Sequence, residues 1–389
     1  MRVTHIITRL IIGGAQENTV ATVLGLRQKP GLEVNLISGP TAGPEGTLEP
    51  EIKKSAVPLT MVPELVRPVH PLKDFSALRR LEKILREQKP DIVHTHSGKA
   101  GILGRLAARR AGVPLIIHHI HGPSFGKFQG APANWIFTAA EKHAARATSH
   151  FFCSAAAMAR LYLAAGIGRP EMYTRIFSGF PLEPYLNTTN DPTFRQKLGL
   201  EPGHFVIGKI ARLFKLKGHA DLLAAFARIS PEFPQARLLF VGDGLLRGDI
   251  ENQSRALGLG GKVIFAGLVP PTEVPRYVGI MDCVAHLSGR EALSRALPQA
   301  LAAAKPVVAY DFDGADEVCL ENETGFLIRT GDIENTAQKL RLLATRPELR
   351  ERLGRRGQQF VRENFPVEKM VDDQYHLYLK LAAERGLHA

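Results

Sequence analysis

The run Gly208-Lys209-Ile210-Ala211-Arg212-Leu213-Phe214-Lys215-Leu216-Lys217-Gly218-His219 sets two cations, Arg212 and Lys217, five residues apart in a loop that follows an apolar, strand-like segment. A guanidinium grips phosphate oxygens as a fork, and an ammonium adds a point charge. Across one loop the two are close enough to clamp a diphosphate; a solvated basic loop is the plain alternative. A second run, Ser288 to Ala300, follows another apolar segment and leads into a helical pattern. Here Glu291 is expected at the helix entry, where the macrodipole favours a carboxylate. The backbone amides of Ala292, Leu293 and Ser294 could face phosphate there. Gln299, eight residues after Glu291, carries an amide that both donates and accepts.

Two further groups stand in the first half of the chain. His94 and His96 end one apolar run; His118, His119 and His121 end the next, with Gly122 following. Strand alternation lets His94 and His96 face one side. Such clustering suggests metal, but neither an acidic ligand nor HExxH spacing accompanies it, so none is expected. Donation to hydroxyl groups in a polar cleft is the preferred role, with His121 foremost, against an ordinary structural histidine. Gly13-Gly14-Ala15-Gln16 forms a turn after the first apolar run. Paired glycines admit a ligand close to the backbone, and the next helix offers free amides to an anion. A tight strand-to-helix turn explains the same residues. The dinucleotide fingerprint G-x-G-x-x-G is not met there.

These residues need elements to hold them. Short β-branched runs alternate with helical patterns. Strands are expected at Val3–Ile7, Glu33–Ile37, Ile92–Thr95, Leu115–His118 and Phe151–Phe152, then at Phe205–Ile210, Arg237–Val241, Lys262–Ala266, Cys283–His286 and Pro306–Ala309. A helix follows the Pro71 turn, with Phe75, Leu78, Leu81, Ile84 and Leu85 on one face, and Lys89-Pro90 ends it. Others are expected at Ala220–Ile229 and Arg295–Ala304. Such alternation means βαβ units and parallel sheets covered on both faces. Turn formers crowd residues 178–203, and 389 residues exceed one ordinary core, so two α/β domains are expected. The boundaries are 1–180, 181–366, and a helical tail, 367–389, patterned to return to the first domain. Two doubly wound domains imply a cleft, with ligands at the carboxyl ends of strands.

The net charge of +12 is lopsided: residues 1–180 carry 23 Lys+Arg against 12 Asp+Glu, and the remainder 27 against 26. The basic half suits an anionic membrane surface or an anionic acceptor, or else is an inert surface. No nucleic-acid motif accompanies it, so nucleic acid is not expected as a partner. Arg79, Arg80, Lys83 and Arg86 are the candidate surface contacts. Neither a signal peptide nor an apolar span of ~20 residues is read, and the three cysteines are scattered. A cytoplasmic protein, touching the inner face of the membrane, is the expectation.

Taken in order, these motifs resemble the retaining group-1 (GT4-like) glycosyltransferases of the GT-B superfamily. The resemblance runs through Gly13-Gly14-Ala15, His94-Thr95-His96, His121-Gly122, Arg212 with Lys217-Gly218, Val241-Gly242-Asp243-Gly244, Phe265-Ala266-Gly267, Glu291 to Ala300, and Thr324-Gly325-Phe326. It implies GT-B architecture: two Rossmann-like domains facing a central cleft, the first for the acceptor and the second for the donor. It implies transfer of a hexose-type sugar from a UDP- or GDP-sugar to a hydroxyl acceptor, lipid-linked or polysaccharide. No cofactor or metal is implied. Arg212 and Lys217 would bind the diphosphate, Glu291 the donor sugar and His121 the transferred sugar. Gly14 would pack near the diphosphate or acceptor, and the base would lie at Gly267, Leu268 and Val269. Gln299 stands where a glutamate usually binds the ribose diol, and Ala292 and Ala304 stand where glycines are frequent. A nucleotide-sugar epimerase and a sugar-nucleotide-binding module without catalysis are the alternatives.

Overall fold

The computed structural model describes residues 1–41, 46–126 and 128–387. They fall into two compact units, one formed by Met1–Phe180 with Val367–Ala389 and the other by Pro181–Pro366.

Unit 1 is a seven-stranded parallel sheet: β1 (Arg2–Ile7), β2 (Glu33–Ser38), β3 (Leu59–Met61), β4 (Ile92–His96), β5 (Leu115–Ile120), β6 (His150–Cys153) and β7 (Tyr173–Arg175). Their order is β3-β2-β1-β4-β5-β6-β7. The central strands are buried on both faces, as a sheet sandwiched by helices requires. The helix Pro71–Gln88 shows why it forms. His70 caps it by accepting the Lys73 amide at 3.3 Å, Pro71 fits its first turn, and Lys89 ends it in the left-handed region at φ 47°. Leu78, Leu81 and Leu85 are buried under it, and truncating Leu81 to Ala would cost about 2–5 kcal/mol. Phe75 corrects the expected face. It is 59% exposed, and the Arg79 guanidinium lies 5.4 Å from its ring centroid. The tail forms the helix Val367–Ala383, which packs on Gly14–Arg27 within unit 1 and buries Met370, Val371 and Tyr378.

Unit 2 contains β8 (Phe205–Ile210), β9 (Ala236–Val241), β10 (Val263–Phe265), β11 (Cys283–His286), β12 (Val307–Tyr310) and β13 (Gly325–Ile328), in the order β10-β9-β8-β11-β12-β13. Both units are doubly wound. Strand order reverses beside β1 and β4 in unit 1 and beside β8 and β11 in unit 2, and ligands of such sheets bind at the carboxyl ends flanking that reversal. The core of unit 2 joins Ile207, Leu238, Phe240 and Ala285 of the sheet to Leu222, Leu223 and Phe226 of the helix His219–Ile229.

Three strands escape the sequence reading: β3, β7 and β13. The helix expected from Arg295 to Ala304 is shorter, Ala296–Ala302. Glu291 therefore lies in a loop ahead of it and not at its first turn. Ala304 occupies the left-handed region at φ 54°. The three cysteines are buried and form no disulfide. Among the described residues no helix is long and apolar enough to cross a membrane.

Candidate active site

The two cations and the acid of unit 2 sit on the loops that leave β8 and β11, the strands flanking the reversal. The loop after β8 is pinned by its backbone. The Gly289 amide and the Ser288 hydroxyl both donate to the Leu216 carbonyl, at 2.9 and 3.2 Å. Gly218 takes φ 66°, and a Cβ there would stand 1.8 Å from the Leu287 carbonyl oxygen. Only glycine meets both demands. The two loops are thereby locked edge to edge, and the Lys217 ammonium donates to Glu291 Oε1. Lys217 and Glu291 remain partly exposed, at 18% and 30%. Both can therefore be reached by a ligand, and a phosphate arriving at Lys217 would compete with the Glu291 carboxylate for its ammonium.

Arg212 stands at the start of the same loop, exposed, with its guanidinium 5.1 Å from the Phe214 ring centroid. Its backbone neighbours are held from β9. The Leu213 amide donates to the Asp243 carbonyl at 2.9 Å, and a Cβ on Gly242 would stand 2.2 Å from the Ala211 carbonyl oxygen. The Gly242 amide donates in turn to Gly267 at 2.9 Å, which brings the Gly267–Val269 turn against this loop. Leu268 is 66% exposed there.

Glu291 has supports that sequence reading missed. Its amide donates to the Asp313 carboxylate at 3.0 Å, and the Gly314 amide donates to the Ala292 carbonyl at 3.1 Å. Burial raises the Asp313 carboxyl above its ordinary range. His286, at the end of β11, contacts the Ser294 hydroxyl through Nδ1 at 3.4 Å, and its Nε2 is 3.9 Å from Glu291 Oε1. Burial, with Lys209 and Lys217 nearby, keeps His286 neutral by moving it well below its ordinary value. Ala292 and Ser294 are buried, and Leu293 is half-buried. Gln299 lies half-buried on the helix Ala296–Ala302.

Unit 1 carries the histidine cluster. The β1–β4 register sets His5 opposite His94, a neighbour that the sequence did not suggest. His5 Nδ1 and His96 Nε2 are 2.9 Å apart, and His96 Nδ1 and His121 Nε2 are also 2.9 Å apart. His121 stacks on His119 with centroids 3.9 Å apart. His94 Nδ1 meets the Tyr378 hydroxyl, and His119 Nε2 meets Ser154 Oγ at 3.3 Å. Burial depresses every one of these rings, His5 and His121 to about 3. Neutral imidazoles are the metal-binding form. Two triads, His5-His94-His96 and His96-His119-His121, bring nitrogen atoms within 4.8 Å of one another. A metal ion would have to break ring-to-ring hydrogen bonds, with no carboxylate in either triad to offset its charge. Gly13 precedes the helix Gly14–Arg27 with extended backbone at φ 173°, and Gly14 is exposed.

Residues 190–360 match the model of the glycosyl transferases group 1, and residues 13–176 match that of the glycosyl transferase 4-like domain. The chain belongs to the group-1 glycosyltransferases. A UDP-Gal:alpha-D-GlcNAc-diphosphoundecaprenol alpha-1,3-galactosyltransferase of Escherichia coli is 27% identical over 83% of this chain and 84% of its own length. A GDP-mannose-dependent alpha-mannosyltransferase of Mycobacterium tuberculosis is 26% identical over 82% and 81%. Among solved structures, that of Anabaena HepE in complex with UDP-glucose superposes with a TM-score of 0.81 at 23% identity, covering 98% of this chain and 100% of that one. The fold is thus GT-B, the fold of this glycosyltransferase family.

Proposed function

We propose that this glycosyltransferase moves a hexose-type sugar, with retention of anomeric configuration, from a UDP- or GDP-sugar to a hydroxyl of a lipid-linked or polysaccharide acceptor. The observation that carries the reading is the meeting of Lys217 and Glu291 at the strand reversal of unit 2, on loops locked to each other through Leu216 and Gly218. The donor names of the two relatives above, one UDP-linked and one GDP-linked, support a nucleotide diphosphate.

In the proposed step the bond from the anomeric carbon to the diphosphate oxygen breaks, and its electron pair leaves with the diphosphate. The acceptor oxygen bonds the anomeric carbon on the same face, and its proton passes to a leaving diphosphate oxygen. Negative charge thus grows where Arg212 and Lys217 stand. Preorganised groups at a developing charge are worth about 3–4 kcal/mol each. Glu291, freed from Lys217 by the incoming phosphate, accepts hydrogen bonds from sugar hydroxyls. Asp313 holds its backbone in place. Gly267, Leu268 and Val269 receive the base, and Gln299 takes the ribose diol through neutral hydrogen bonds. Within unit 1, His121, kept neutral by burial, offers an imidazole that can hydrogen-bond a hydroxyl group. The chain itself supplies the chemistry, with no metal.

The acceptor side rests on the basic first half. Among Arg79, Arg80, Lys83 and Arg86, three already face carboxylates: Arg80 with Glu64 at 3.3 Å, Lys83 with Glu87 at 3.9 Å and Arg86 with Glu82 at 2.7 Å. Their net attraction for an anionic surface is smaller than their number suggests. Apolar side chains add to it: Val69, Leu72 and Phe75 are 67%, 79% and 59% exposed. Exposed apolar residues beside cations suit shallow insertion into an anionic membrane face, the cytoplasmic one in this reading. The function is tested by donor-dependent transfer. Arg212→Ala with Lys217→Ala is expected to lower kcat/KM at least about 10³-fold; an unchanged rate overturns the site.

A further inference from the structure

Around the Lys217–Glu291 pair lie buried nitrogens that no hydrogen bond occupies. Lys209, on β8, is 0% exposed, and its Nζ has no partner. His219, the first residue of the helix His219–Ile229, is 3% exposed with neither ring nitrogen bonded. His286, on β11, is 4% exposed with Nε2 unbonded. Buried polar groups are nearly always hydrogen-bonded, so three of them at one strand reversal call for a reason. The β8–β9 register sets Lys209 beside Phe240, and the His219 ring lies 5.5 Å from the Phe240 ring. Lys209 and His219 therefore share one side of the sheet.

The charges acting on Lys209 come from three directions. The loop after β8 supplies Lys217, and the loop after β11 supplies Glu291. The following helix supplies Asp221, whose carboxylate accepts the Tyr310 hydroxyl at 2.7 Å. His219 and His286 both sense Lys209, and both are neutral. β9 offers only apolar Phe240 at this register. Burial, then Lys217, bring the Lys209 ammonium down to about 7, against the opposing pull of Glu291 and Asp221. Near neutral pH the Lys209 amine is thus balanced between its neutral and charged forms, and a phosphate bound nearby would favour the ammonium.

We propose that Lys209 is the proton-uptake residue of the donor site: it becomes protonated when a diphosphate binds at Lys217, and it adds a buried positive charge that positions the phosphates from below the loop. The inference rests on the proposed diphosphate reading of that site. Lys209 acts across the loop, so it is a positioning residue. Its charge comes and goes with the anion, so binding and release of the nucleotide carry a proton with them.

Isothermal titration of the full chain with UDP, and in parallel GDP, reads this directly. At pH 8 the nucleotide phosphates are already ionised, since their last pKa lies near about 6. Repeating the titration in buffers of different ionisation enthalpy then counts protons taken up by the protein. The expected uptake is about 0.9 proton per nucleotide at pH 8, with Kd rising about eightfold from pH 7.5 to 8.5. In Lys209→Met the uptake disappears and Kd no longer varies over that range, whereas His219→Gln and His286→Asn keep both. Should Lys209→Met not fold, 13Cε resonances of lysine in the unmodified protein give the same answer. One is expected to titrate near pH 7 without UDP and to stay in its charged position to pH 9 with it. Binding without uptake, or uptake retained in Lys209→Met, overturns the inference and leaves the diphosphate reading intact. No binding of either nucleotide at millimolar concentration overturns both.

Discussion

Arg105 and Glu141 form an ion pair with no exposed surface in unit 1. The guanidinium donates to Glu141 Oε2 at 2.5 Å, to the Gly101 carbonyl at 2.7 Å and to Thr148 Oγ1 at 3.3 Å. Glu141 Oε1 accepts the Ser124 hydroxyl at 2.8 Å, and Ser124 also contacts the Tyr162 hydroxyl at 3.0 Å. The pair thereby ties the segment after His121 to two helices. Arg105→Met fills much of the same volume but strands a carboxylate in the interior with one hydroxyl for a partner. Breaking a buried pair from one side costs about 3–5 kcal/mol. For a unit of this size each kcal/mol lowers Tm by about 2–4 °C, so the expected drop is about 6–20 °C. Arg105→Met with Glu141→Leu removes both charges and should recover most of the loss, because an apolar replacement of a buried pair is often neutral. Differential scanning calorimetry of the single and double variants decides it. A single variant within 1 kcal/mol of the parent, or a double variant at the sum of the singles, refutes the assignment of the cost to an unpaired buried charge.

Three shorter predictions accompany it. Ala304→Gly should raise stability by about 1 kcal/mol, because an alanine at φ 54° bears a left-handed penalty that glycine escapes; an unchanged denaturation midpoint contradicts this. Acid should unfold unit 1 early. His5, His94, His96 and His119 have no exposed surface, and burial lowers all four. The unfolded chain takes up their protons first, so stability is complete above pH 6.5 and declines as pH falls through that value. Each ring that stays neutral in the fold costs about 2 kcal/mol by pH 5, a sizeable share of a domain's stability. Circular dichroism should therefore show unfolding between pH 6 and about 4, and an unchanged Tm from pH 7 to 5 would count against neutral rings. Leu72→Ser with Phe75→Ser should weaken co-sedimentation with anionic vesicles several-fold; equal pelleting with neutral and anionic vesicles would dismiss the membrane reading.

The elements that announce themselves are those whose burial is local and periodic. β1, β4, β5, β8 and β11 are largely β-branched or apolar runs buried almost throughout, β2 and β9 are nearly so, and the sequence displays them to within two residues. β3 and β7 are three-residue edge strands whose side chains are mostly half-buried, too short for any period to show. β13 begins at Gly325, which reads as a turn. Phe75 follows the helical period of Leu78 and Leu81 yet points outward, since periodicity does not reveal where the neighbouring layer ends. Arg212, Lys217 and Glu291 were legible as chemistry. The meeting of Lys217 with Glu291 was not, because it depends on the Gly289–Leu216 bond and on Gly218 seated against Leu287. Lys209 lay in plain view but reads as a surface charge, lysine being almost never buried alone. His5 joins the histidine cluster only through the β1–β4 register, and Asp313 reaches Glu291 only through the packing of the loop after β12.

Proton NMR of the transfer reaction decides whether the donor sugar leaves only for an acceptor and with which configuration. The protein is incubated with a UDP- or GDP-sugar and a lipid-diphosphate-linked sugar acceptor, and the anomeric signals of donor and product are followed together. The donor's anomeric signal should decay only when acceptor is present, the product should carry the donor's anomeric configuration, and Arg212→Ala with Lys217→Ala should abolish both changes. A new sugar signal from donor alone, an inverted product, or full transfer by the double variant would contradict the proposed transfer.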